Sequence, residues 1–113
     1  MIHTDDKELL KKAAKAAGIE FDWCHNGVAI DHGFGEIGVH KGKWVNVWNP
    51  LTDDGDALRL AVQLGLDIEV YKTSTHVYDD KSEKSFQEDH DGDQYSATRK
   101  AIVRAAVEIG KGM

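Results

Sequence analysis

Six histidines, one cysteine and twenty acidic residues in a chain of 113 invite a search for metal chemistry. Transition metals take imidazole and thiolate ligands that converge at defined spacings, and those spacings are missing. The chain has neither His-Glu-x-x-His nor Cys-x-x-Cys, and Cys24, His25, His32 and His40 fall on or between expected strands, where neighbouring side chains diverge. A small metal-dependent enzyme using some of His25, His32, His40 and His76 is therefore an alternative reading, and no metal or cofactor is expected. Asp89-His90-Asp91-Gly92-Asp93 is like a calcium loop in composition alone. Its glycine is misplaced, and Lys100 stands where such a loop needs a closing glutamate. Asp53-Asp54-Gly55-Asp56 is better explained as helix capping.

Other chemistries find equally little. Ser74, Ser82, Ser85 and Ser96 lie in polar surroundings without a Gly-x-Ser-x-Gly elbow, and Cys24 has only a sequence-adjacent histidine. Gly33-Phe34-Gly35-Glu36-Ile37-Gly38 spells G-x-G-x-x-G, but Val39 to Trp48 reads as strand rather than the helix a phosphate cradle requires. Trp44 and Trp48 would share a strand face with Asn46 and form a stacking platform if exposed; with only Lys41 and Lys43 nearby, core packing is the expectation. No convergent catalytic set remains, so the chain is expected not to be an enzyme.

The elements that position these residues can be read from their ends and their periods. A first helix begins among Thr4, Asp5 and Asp6 and stops at Gly18, with Leu9, Leu10, Ala13 and Ala17 on one face. A period of two then marks strands at about 21–24, 28–31 and 36–40, and a fourth at 44–48, with Asn26-Gly27 and Lys41-Gly42-Lys43 as turns. After Pro50, the oxygens of Thr52, Asp53 and Asp54 open a second helix that Gly65 closes. Its polar residues Asp56, Arg59 and Gln63 crowd into one arc, so it is expected to be the most buried helix. Residues 66–71 and 75–78 alternate as a strand pair. Asp93 or Ser96 caps a last helix with Tyr95, Thr98, Ile102, Ala105, Ala106 and Ile109 on its apolar face and Lys100, Arg104 and Lys111 opposite. The order α-β-β-β(β)-α-β-β-α predicts an α+β fold, a single-domain sandwich of helices around a mostly antiparallel sheet spanning residues 1–113.

The formal charge is −6, opposite in sign to a nucleic-acid-binding footprint. Residues 79–93 contain seven acids, two lysines and a single aromatic, Phe86, and so carry −5 of that charge. Such a segment is expected to be a mobile acidic loop. Glu88, Asp89, Asp91 and Asp93, with Lys100 and Arg104 on the following helix, are the candidate partner-binding residues. One cysteine fits a reducing compartment, the amino terminus is acidic where a signal peptide is basic, and the apolar runs are too short to span a bilayer. A cytoplasmic protein is expected, with a protein partner, no direct nucleic-acid contact and no membrane.

The stretch Trp48-Asn49-Pro50-Leu51-Thr52-Asp53-Asp54-Gly55-Asp56-Ala57-Leu58-Arg59-Leu60-Ala61-Val62-Gln63-Leu64-Gly65, with Ala97-Thr98-Arg99-Lys100-Ala101-Ile102-Val103-Arg104-Ala105-Ala106 later, resembles small uncharacterised phage and prophage proteins of the phage ABA sandwich family. The resemblance covers about half of the chain. It implies helices sandwiching a sheet and a phage or prophage setting in a bacterial host cell, and it brings no activity or site residues. The expected function is that of a phage accessory protein that binds a macromolecule without catalysis. A sharper alternative is an inhibitor of a host defence or nucleic-acid-handling complex, acting through the acidic segment.

Overall fold

A computed structural model describes residues 4–19, 22–24, 27–30, 37–40 and 43–112. The elements run α1 (Thr4–Ala16), β1 (Asp22–Cys24), β2 (Gly27–Ile30), β3 (Ile37–His40), β4 (Lys43–Trp48), α2 (Asp54–Leu64), β5 (Asp67–Val70), β6 (Ser74–Asp79), β7 (Lys84–Asp89) and α3 (Gln94–Lys111). This is the α+β class with antiparallel pairing throughout, and the strands divide between two sheets ordered β1-β2-β4-β3 and β5-β6-β7.

The helix ends follow local chemistry. Asp53 caps α2 by accepting the Asp56 backbone N–H, and Gly65 closes it at φ 67°. Gly18, at φ 72°, ends α1, while Ile19 returns its N–H to Ala14 O at 2.9 Å in the manner of a Schellman stop. Asp93 caps α3 by accepting the Ser96 N–H at 3.0 Å.

The core gathers on α3, not on α2 as its composition predicts. Ala97, Ala101, Ile102, Val103, Ala105, Ala106, Val107 and Gly110 of α3 are buried, whereas α2 buries Asp56, Ala57, Leu60 and Ala61 and leaves Leu58 and Val62 exposed. Thr98, Arg104 and Glu108 of α3 reach the β5-β6-β7 sheet, while Arg99 and Gly110 meet the α2 region and α1. A helix covered on both sides needs small residues, and alanines supply them. Val28 of β2 pairs across the sheet with Trp48 of β4, and both join the same core beside Leu10 and Ala14 of α1. Trp48 is thus core, as expected; the side chain of Trp44, the glycine run at 33–36, and His25 and His32 lie outside the described residues.

A second finding concerns Asp56, which helical arithmetic places with Arg59 and Gln63 on the polar arc of α2. It is buried, accepting the Asn49 N–H at 3.0 Å and pairing with Arg59 at 2.8 Å. Burial pushes its carboxyl above the ordinary value, and the hydrogen bonds from Asn49 and Arg59 act against that rise. Asn49 O also accepts the N–H groups of Thr52 and Asp53 at 3.2 and 2.9 Å. The turn from β4 into α2 is therefore wound around Asn49 and locked by Asp56.

A further correction is the acidic segment 79–93, which is not a loop. Lys84–Asp89 forms β7, in register with β6 from Asp79↔Lys84 to Ser74↔Asp89. It has little apolar material because it is an edge strand with one face open to solvent. On the inner face only Phe86 is apolar, and the polar positions beside it are satisfied from α3. Lys84 pairs with Glu108 at 2.6 Å, Glu88 pairs with Lys100 at 3.4 Å and with Arg104, and the Arg104 guanidinium lies over the Phe86 ring.

Candidate functional site: the open face of the second sheet

In β6 the burial alternates strictly: Thr75, Val77 and Asp79 are buried and point toward α3, while Ser74, His76 and Tyr78 are half-buried on the other face. The strand register extends that outer face into rows. Asp67, Tyr78 and Ser85 form one row, and Glu69, His76 and Gln87 the next. Tyr71 donates its N–H to Ser74 O at 2.8 Å, which continues the pairing, so Tyr71, Ser74 and Asp89 complete a third. Strand geometry requires this common orientation, since side chains two residues apart share a face.

The face carries three carboxylates at its rims, Asp67 and Glu69 on β5 and Asp89 on β7, around an aromatic and polar centre. None of the three makes an ion pair among the described residues. Gln87 donates to Asp89 at 3.4 Å. The Tyr71 hydroxyl donates to Glu69 Oε2, and the carboxylate pushes the phenol above its ordinary pKa. The Tyr71 ring stands edge-on to His76, with centroids 5.1 Å apart and planes at 75°, and remains 50% exposed. Ser74 Oγ lies 3.3 Å from His76 Nε2, which is the start of a nucleophile–base pair. No carboxylate or carbonyl holds that imidazole from behind among the described residues.

The residues singled out in the sequence take separate roles. Asp89 lies on the open face. Asp91 lies in the turn beyond it, where Asp91 and Gly92 at φ 49° and 90° and an Asp93 N–H to His90 O bond of 2.8 Å make a type I′ turn. Asp93 is the α3 cap. Glu88, Lys100 and Arg104 come together, but with one another and on the inner side of β7. His90 is buried. A carbonyl only accepts, so the contact of His90 Nδ1 with Lys72 O at 3.2 Å assigns a proton to Nδ1, and Nε2 lies 2.8 Å from Thr75 Oγ1. Thr75 in turn lies 2.8 Å from Thr98 Oγ1. These bonds, with His90 N–H to Thr73 O at 2.9 Å, hold the β5–β6 turn against the start of α3.

Reading the sequence for motifs missed Asp67, Glu69, Tyr71, Tyr78 and Gln87. The signal for them was the alternation of β5 and β6 together with the absence of lysine and arginine at outward positions. Among the described residues no group of three or more His, Cys, Asp or Glu side chains is placed to hold a metal ion, and no helix is long and apolar enough to cross a membrane. The chain matches no family model, no curated protein and no solved structure.

Proposed function

We propose that the protein is a non-catalytic binding module whose open β5-β6-β7 face docks a basic surface of another protein. The observation that carries this reading is a face with Asp67, Glu69 and Asp89 at its rims and no lysine or arginine in its rows. Like-signed carboxylates on an exposed surface repel nucleic-acid phosphates and attract cationic side chains, giving both steering and discrimination between partners. Asp91, exposed in the turn after β7, adds to that field. Glu88, Lys100 and Arg104 support the surface from behind by fixing β7 to α3, and do not themselves meet the partner. In the phage or prophage setting that the resemblance implies, the cytoplasm of a bacterial host cell, this is the chemistry of an accessory protein that occupies the basic surface of a host nucleic-acid-handling or defence complex.

The test is the triple replacement Asp67→Asn, Glu69→Gln, Asp89→Asn, all at exposed positions. Partner recovery from infected cells is expected to drop at least tenfold with unchanged thermal stability. Equal recovery by the variant overturns the assignment of this face.

A further inference from the structure

The three rows are not chemically uniform, and their asymmetry bears on what kind of cation they take. Tyr71 is the large side chain of the face that stays half exposed while held from two directions, by the Glu69 carboxylate at its hydroxyl and by the His76 ring, which stands at 75° to its own. Glu69 uses Oε2 for that bond, and Oε1 has no partner among the described residues. Asp67 stands two residues away on the same strand, about 7 Å along it. An aromatic plane, a carboxylate oxygen beside it and a second carboxylate one strand repeat further along are therefore presented on one face.

Resting on the reading of the face given above, we infer that Tyr71, Glu69 and Asp67 form a receptor for an arginine side chain of the partner protein. A guanidinium is flat and weakly hydrated, so it stacks on the Tyr71 ring while its forked N–H groups donate to Glu69 Oε1 and toward Asp67. A lysine ammonium is a compact, strongly hydrated point charge that satisfies the carboxylates without using the ring plane. Preorganisation favours the same outcome, because the tyrosine is already fixed and little rotamer freedom is lost on binding.

Fluorescence anisotropy with two labelled dodecapeptides of alternating glycine and arginine, or glycine and lysine, tests the inference, with a single-stranded oligodeoxynucleotide of equal length as a third probe. The arginine peptide is expected to bind about five-fold more tightly than the lysine peptide, the scale of one exposed cation–π contact. Tyr71→Ala is expected to erase that preference while both peptides still bind, and Tyr71→Phe to retain part of it. Equal binding of the two peptides by the parent protein, or a preference that survives Tyr71→Ala, overturns the arginine receptor and leaves the docking face standing. Failure of both peptides to bind at millimolar concentration, or tighter binding of the oligonucleotide, overturns the docking face as well.

Discussion

Single residues in this protein take their roles from neighbours that the local sequence does not reveal. The run Asp89-His90-Asp91-Gly92-Asp93 distributes its members among an open sheet face, a buried clamp, a type I′ turn and a helix cap. Its composition suggests one acidic feature, whereas its backbone conformation separates four. Asp56 is the other residue whose role depends on burial. Removing its carboxylate takes away the acceptor that Asp56 gives the buried Asn49 N–H, so Asp56→Ala is expected to destabilise the fold by about 1–3 kcal/mol in denaturant titrations. Asp56→Asn keeps an oxygen for that N–H and removes the charge. Because burial raises the folded carboxyl above 3.8, the native chain binds this proton more tightly than the unfolded chain. The contribution of this group therefore falls as pH rises from 3.8 through the higher folded value. The stability of Asp56→Asn relative to the parent is accordingly expected to increase from pH 3 to pH 7, read as the difference in Tm between the two proteins.

At the scale of elements, α3 is the member that the others are arranged around, and its contact with α1 is close enough to exclude a methyl group. A Cβ built on Gly110 would lie 2.1 Å from the Lys12 carbonyl oxygen. Alanine in an exposed helix is worth up to about 1 kcal/mol over glycine, yet here the obstruction is backbone, which cannot rotate aside. Gly110→Ala is expected to cost about 1–3 kcal/mol, measured by chemical unfolding; a stabilised variant would contradict the packing of α1 on α3. The strand β7 shows the complementary case. Local composition argues against a strand there, and α3 supplies what the strand lacks, since Glu108 takes Lys84 while Lys100 and Arg104 take Glu88. Opposite charges four residues apart on α3 and on β7 were the legible hint, but only the register shows that they meet.

For the whole molecule, the formal charge of −6 understates how unevenly charge is exposed. Within the acidic segment Glu88 is paired with Lys100 and Arg104 of the last helix, while Asp67, Glu69 and Asp89 gather on a face with no lysine or arginine in its rows. Association through that face is expected to depend strongly on salt. Between 0.1 and 1 M salt the Debye length falls from about 10 to about 3 Å, so the association rate with a basic partner is expected to drop about tenfold or more. Stopped-flow measurements check this, and the Asp67→Asn, Glu69→Gln, Asp89→Asn variant is expected to show a much flatter dependence. A rate insensitive to salt would point to an apolar contact, such as one through the exposed Leu58 and Val62 of α2.

What the sequence alone determined was local. Gly18, Asp53, Gly65 and Asp93 set helix ends, and the period of two marked six of the strands, because caps, turns and side-chain alternation act within a few residues of the chain. The α+β class followed from the order of those elements. The tertiary structure alone decided that the strands divide between two sheets, that α3 rather than α2 carries the core, that Asp56 is buried and that residues 84–89 pair with β6. Each of these rests on contacts between residues far apart in the chain, such as Glu88 with Arg104 and Val28 with Trp48. The binding face belongs to the same class, since Asp67, Glu69 and Asp89 become one surface only when three strands align.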